Sequence, residues 1–172
     1  MKTLLLVALA LAVTGTFLAV KARAEALAVG ADAPRPEAAD HAGQPFDWNA
    51  FYSGGFSLVY FYPKADTPGC TKQACSLRDA FAQLAEKGVN VVGVSGDRAE
   101  SQSAFRDKYK LPFPLLADPA GKVADAFGVP RVGPITARQA FLVKGGKIVW
   151  RDLKAATDRQ AADVLAAIAA TP

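Results

Sequence analysis

Residues 56–70 read Phe-Ser-Leu-Val-Tyr-Phe-Tyr-Pro-Lys-Ala-Asp-Thr-Pro-Gly-Cys. The first half, Phe56–Tyr62, is a short run of aromatic and aliphatic residues after Gly54-Gly55, the pattern of a strand buried on both faces. Pro63 then turns the chain out of the strand. Thr67-Pro68 opens a helix, with threonine at the N-cap and proline at the first helical position. The helix is predicted to run to about Glu86, where Lys87-Gly88 supplies a basic last turn and a C-cap glycine. Cys70 then falls in the third helical position. Unpaired backbone N–H groups and the positive helix end both favour a thiolate there, the nucleophilic form of cysteine.

Working outward, Val89–Ser95 reads as a second buried strand and Ala99–Tyr109 as a polar amphipathic helix. Phe113–Ala117 is a third strand and Pro119–Phe127 a short helix. Gln139–Val143 and Lys147–Arg151 flank Lys144-Gly145-Gly146, a β-hairpin signal. An alanine-rich helix follows from about Thr157 to Ala170. Before the regular pattern, Ala26–Asp47 is an alanine- and proline-rich lead-in that holds the single histidine, His41, with a short hairpin expected around Gln44–Trp48. Strands that alternate with helices call for an α/β domain whose mixed sheet is covered on both faces. Strand–helix–strand, then hairpin, then final helix is the order of a thioredoxin-like fold, a central mixed β-sheet flanked by helices. That fold by itself does not assign a function.

The chain has 172 residues, 51% of them hydrophobic, enough for one domain with a real core and too apolar for a disordered chain. Met1-Lys2 followed by the uncharged Thr3–Val20 and by Ala22-Arg23-Ala24 has the form of a signal peptide. An uncleaved anchor is the alternative, since an apolar run of about 18 residues just reaches spanning length. We therefore expect residues 1–24 to be a signal peptide or anchor and 25–172 the folded domain. The protein is expected to be exported, to the periplasm, with membrane contact only through the N-terminal segment. Cleavage removes three cations and no acid, which takes the net charge from +4 to +1. The basic balance thus belongs to the leader and is no argument for nucleic-acid binding.

The spacing Pro63-x-x-x-Thr67-x-x-Cys70 resembles the peroxiredoxin signature. The longer run YFYPKADTPGCTKQACSLRD, with Cys75 five residues after Cys70, resembles the peroxiredoxin Q or bacterioferritin comigratory protein subfamily. The resemblance continues through NVVGVSGD, KYKLPFPLLAD and AFGV to ARQAFLV. It departs at Ala33-Pro34-Arg35-Pro36 in the lead-in and at Ala140, both outside the signature. It implies a thiol peroxidase in which Cys70 is the peroxidatic nucleophile and Cys75 resolves its sulfenic acid into an intramolecular disulfide. Thr67, Pro63 and Arg138 would form the peroxide pocket. The implied partners are hydrogen peroxide or organic hydroperoxides and a thioredoxin-like dithiol reductant. No cofactor is implied, neither metal nor haem nor flavin, and a monomer or weak dimer is expected.

One consequence follows from helix geometry. Residues five apart on a helix have Cα atoms roughly 8–9 Å apart, whereas a disulfide needs about 4.4–6.8 Å. A Cys70–Cys75 bond therefore requires the helix to unwind, between Gly69 and Leu77.

Other readings compete at each residue. Two cysteines in an exported protein often form a staple, but a staple does not require a proline–threonine helix start. An exported thiol:disulfide oxidoreductase would want Cys-x-x-Cys, and a non-enzymatic module would hold the pair inert. Two cysteines and one distant histidine do not complete a zinc site. Gly93-Val-Ser-Gly-Asp97 lacks the final glycine of a nucleophile elbow and reads as a strand end and turn. Lys64, Lys72 and Arg78 raise the local potential or form a solvated face. Trp48 and Trp150 read as core or edge aromatics.

Overall fold

The computed structural model describes residues 25–171. Residues 1–24, read from sequence as a signal peptide or anchor, lie outside them. Among the described residues no helix is long and apolar enough to cross a membrane.

The lead-in gives β1 (Ala39–Asp40) and α1 (Trp48–Tyr52), followed by β2 (Phe56–Phe61), α2 (Pro68–Asp79), α3 (Phe81–Glu86) and β3 (Val89–Ser95). Next come α4 (Ala99–Tyr109), β4 (Leu115–Ala117), α5 (Lys122–Ala126) and the two-residue strands β5 (Arg131–Val132) and β6 (Ile135–Thr136). The hairpin β7 (Gln139–Lys144) and β8 (Lys147–Asp152) and the helix α6 (Gln160–Ala169) complete the chain. The main sheet has the order β1-β4-β3-β2-β7-β8. β2 runs parallel to β3 and antiparallel to β7, and β3 runs parallel to β4, so the sheet is mixed. This is the thioredoxin-like architecture expected from the element order.

Period-two alternation in β2 divides the core in two. Leu58, Tyr60 and the following Tyr62 join the cluster that holds Cys70, Ala74 and Leu77 of α2, Phe105 of α4 and Val164 of α6. Val59 and Phe61 join Trp48, Phe51 and Tyr52 of α1 and Val123 and Ala124 of α5 on the other face. All five residues Leu58–Tyr62 are fully buried, and each such side chain stabilises the fold by about 1.5–3 kcal/mol. The helix that carries Cys70 is thus packed on a central strand that has neighbours on both edges. At the hairpin tip, Gly145 and Gly146 take φ of +57° and +76°, the two left-handed residues a tight β7–β8 turn requires.

The structure differs from the sequence reading at several boundaries. The helix expected to continue to Glu86 breaks at Ala80 (φ −94°, ψ 8°). No glycine or proline marks the break. It turns Phe81 towards Phe113, ring centroids 6.1 Å apart, and leaves Leu84 fully buried. The lead-in turn lies earlier than residues 44–48: Ala39 bridges Pro45, and Asp40 Oδ1 accepts from the N–H groups of Ala42 and Gln44 at 2.8 and 2.9 Å. Trp48 instead begins α1, which Asp47 caps by accepting from Asn49 and Ala50 N–H. The third strand starts at Leu115, two residues late. The short helix starts at Lys122 and not Pro119, because buried Asp118 accepts from the Val123 and Ala124 N–H groups at 3.1 and 2.9 Å. The last helix begins at Gln160 rather than Thr157.

Candidate active site

Strand β2 delivers the chain to the site end of the sheet, and Pro63–Thr67 turns it into α2. Thr67 is the N-cap by its extended backbone (φ −91°, ψ 152°), with Pro68 at the first helical position. Its side chain does not cap the helix. The hydroxyl donates to the Lys64 carbonyl at 3.0 Å, which leaves its oxygen as an acceptor. With its proton so placed, the hydroxyl offers an acceptor and not a donor towards the site. Pro63 is half-buried at the head of the turn.

Cys70 sits in the third helical position and is 1% exposed, a free thiol, as is the half-buried Cys75. Arg138, two residues past β6 and immediately before β7, donates from Nη2 to Cys70 Sγ at 3.4 Å. Sixty-eight residues of chain are thus closed onto one contact by the β2–β7 pairing, Phe61 opposite Gln139. Gly69 leaves the room: a Cβ there would lie 3.2 Å from Arg138 Nη2 and 3.5 Å from Thr157 Cγ2. A guanidinium at this distance and an α-helix N-terminus both stabilise negative charge on the sulfur or on an oxygen beside it.

Sequence reasoning missed the groups that hold this arrangement. Gln73, fully buried one turn after Cys70, accepts from Arg138 Nη1 and donates from Nε2 to Gln160 Oε1 at 2.6 Å. The turn before α2 is tied twice. Ala65 N–H donates to Asp97 Oδ2 at 2.7 Å, and Ser95 Oγ donates to the same oxygen at 2.7 Å. Gln102 donates to Ser95 Oγ at 2.8 Å and accepts from the Tyr62 hydroxyl. Burial pushes the Tyr62 phenol far up, so it remains a neutral donor. Asp66 holds a left-handed backbone (φ +58°), uncommon outside glycine. Its carboxylate accepts from Lys108 Nζ at 2.8 and 2.9 Å and from the Tyr109 hydroxyl at 2.7 Å. The Lys108 and Tyr109 hydrogen bonds hold that carboxyl below its usual range. The signal for Asp97 was present in the strand-end turn Gly93–Asp97. Nothing local in sequence marks Gln73 or Gln160.

Lys72, read as a source of local potential, pairs with Asp158 at 3.2 Å on the exposed seam between α2 and the approach to α6. Among the described residues there is no group of three or more histidine, cysteine or acidic side chains placed to hold a metal.

Peroxiredoxin Q of Sedum lineare, named chloroplastic, is 44% identical over 112 residues, which are 64% of this chain and 60% of that protein. The putative chloroplastic peroxiredoxin Q of Oryza sativa subsp. indica is 41% identical over 122 residues, 70% of this chain and 56% of that protein. The chain therefore spans less than two thirds of the length of these curated relatives. Among solved structures, a peroxidoxin of Mycobacterium tuberculosis superposes with a TM-score of 0.77 at 32% identity, covering 83% of this chain and 96% of that one. The bacterioferritin comigratory protein of Xanthomonas campestris gives 0.74 at 26% identity, covering 83% and 98%. Residues 29–151, from the lead-in to β8, match the AhpC/TSA family, and the chain belongs to that family, in its peroxiredoxin Q and bacterioferritin comigratory protein branch.

Proposed function

We propose that this protein is a thiol-dependent peroxidase with Cys70 as its nucleophile. The observation that carries the reading is the Arg138 guanidinium 3.4 Å from a buried Cys70 sulfur at a helix start. The thiolate attacks one peroxide oxygen; an S–O bond forms as the O–O bond breaks. Sulfur gives up two electrons and becomes a sulfenic acid, while the other oxygen takes a proton and leaves as water or an alcohol. Arg138 and the helix-start N–H groups stabilise the charge that develops on the leaving oxygen. Thr67, its proton committed to Lys64, accepts from the peroxide O–H and so orients the substrate. Full burial of the sulfur favours small or end-on electrophiles. The Xanthomonas protein, whose structure is described for alkyl peroxide reduction, supports organic hydroperoxides as substrates, and hydrogen peroxide is the smallest electrophile of the same chemistry.

The Cys75 thiol then displaces the hydroxyl of the Cys70 sulfenic acid, which yields a disulfide and water. Pairing requires the first turns of α2 to unwind, by the distance argument above. An external thioredoxin-like dithiol restores both thiols by exchange. The signal-peptide or anchor pattern of residues 1–24 supports an exported location for this chemistry. Intact mass of the exported protein beginning at or near Glu25 supports that placement; a full-length, membrane-retained species contradicts it.

The direct test is hydrogen peroxide consumption with dithiothreitol as reductant. Cys70→Ser abolishes turnover, and Cys75→Ala reacts once and leaves a trappable sulfenic acid at Cys70. Retention of most activity by Cys70→Ser would remove Cys70 from the mechanism.

A further inference from the structure

The contact between Arg138 and Cys70 is only as well placed as the arginine, and the groups behind it form a chain with one possible polarity. A guanidinium offers donors and no acceptor. It therefore fixes Gln73 with its oxygen towards Arg138 and its nitrogen facing away. That nitrogen needs an acceptor, and the one it meets is Gln160 Oε1 at 2.6 Å. Reversing either amide sets two N–H groups against each other: Gln73 against the guanidinium, or Gln160 against Gln73. The orientation is dictated from the arginine outward.

Gln160 is the first residue of α6, fully buried, and its own Nε2 has no hydrogen-bond partner among the described residues. A buried unpaired N–H is unfavourable, and native structures carry few of them. An apolar side chain at this position would avoid that cost. The amide is explained by its other end, the oxygen that Gln73 requires. The neighbouring ties, Lys72 to Asp158 at 3.2 Å and the Ala161 N–H to Ser76 Oγ at 3.4 Å, dock α6 on α2 but do not reach the arginine.

We infer that Gln160 is a positioning residue of the peroxide site, holding Arg138 on the Cys70 sulfur by locking the Gln73 amide. The inference rests on the reading of Cys70 as the peroxide-reactive nucleophile. It places a determinant of peroxide reactivity on the C-terminal helix, 90 positions from the cysteine in sequence.

The test is a double-mutant cycle on the full chain. Stopped-flow rates of Cys70 oxidation by hydrogen peroxide are measured for wild type, Gln160→Met, Gln73→Met and the double variant, with iodoacetamide alkylation and thermal melting in parallel. Gln160→Met is expected to slow peroxide oxidation roughly tenfold, below the loss from deleting a charge-stabilising donor outright. Alkylation, which does not need an oriented peroxide, should fall less, and melting should stay near wild type. The double variant should be no slower than Gln73→Met alone, the non-additivity of residues acting in series. If Gln160→Met does not fold, Gln160→Leu takes its place in the cycle. An unchanged rate in the Gln160 variant, or a double variant slowed by the product of the two single effects, overturns the inference. Failure of the underlying reading is separate: wild-type Cys70 would itself not react with peroxide.

Discussion

Strand β2 and helix α2 lie one on the other and are held by different kinds of force. β2 sits between β3 and β7, its backbone paired on both edges and its side chains from Leu58 to Phe61 fully buried on two faces. α2 keeps an apolar face of Cys70, Ala74 and Leu77 against that strand. Its polar attachments include Arg138 to Cys70 and to Gln73, Gln73 to Gln160, Ser76 to Ala161, Arg78 to the Tyr109 carbonyl, and an exposed Lys72–Asp158 pair. Removing the strand from its place means exposing a core. Releasing the first turns of the helix means exchanging a few hydrogen bonds for water, each with a net worth of about 1 kcal/mol, and uncovering Cys70, Ala74 and Leu77, far less apolar surface than the strand covers. In the proposed cycle the reactive sulfur lies on the element that opens while the platform beneath stays closed.

Two substitutions separate these roles most strongly. Arg138→Met should slow Cys70 oxidation by about 10²–10³-fold, the loss expected for removing a donor to developing charge, with little change in melting. Phe141→Ala, on β7 and on the sheet face away from Cys70, should destabilise the fold by about 3–5 kcal/mol. The rate of its folded fraction should remain near wild type. Denaturant unfolding and stopped-flow oxidation on the same samples check both. A large rate loss in Phe141→Ala at full folding would erase the division between platform and site.

The same division explains what was legible in sequence. Strand β3 and helix α4 have the bounds read from pattern, because a β-branched apolar run, buried except at Asn90, and an amphipathic turn are local signals. The helix start at Thr67-Pro68 was equally plain. The break at Ala80 was not, since it is imposed by Phe81 packing on Phe113 and no local residue forbids helix there. α1 left a readable cue in Asp47 before an aromatic run, while β5 and β6 are two residues each and too short for any period. Cys70, Cys75, Thr67, Pro63 and Arg138 were singled out from a motif. Gln73, Asp97 and Gln160 act through contacts 32–87 residues distant in sequence, which a linear pattern does not carry.

A smaller effect concerns the turn that joins the two regions. Asp66, held to α4 by Lys108 and Tyr109, has its carboxyl below the ordinary value of 3.8. The folded state therefore holds that proton less tightly than the unfolded chain. Its contribution is fully present above pH 3.8 and is lost as pH falls through the lowered folded value. Asp66→Asn should retain the left-handed turn, which asparagine tolerates, and be close to wild type in rate at neutral pH. Its acid unfolding curve should be flatter than wild type in that window. Identical curves below pH 4 would show that the tie to α4 contributes nothing.

The most direct measurement is amide hydrogen exchange on the fully reduced and fully oxidised protein, with the Cys70–Cys75 bond verified by mass. Helix geometry and the contrast between α2 and β2 predict that residues 70–77 lose protection on oxidation while Phe56–Phe61 keep theirs in both states. Equal protection of residues 70–77 in the two states, with the disulfide present, would contradict the account.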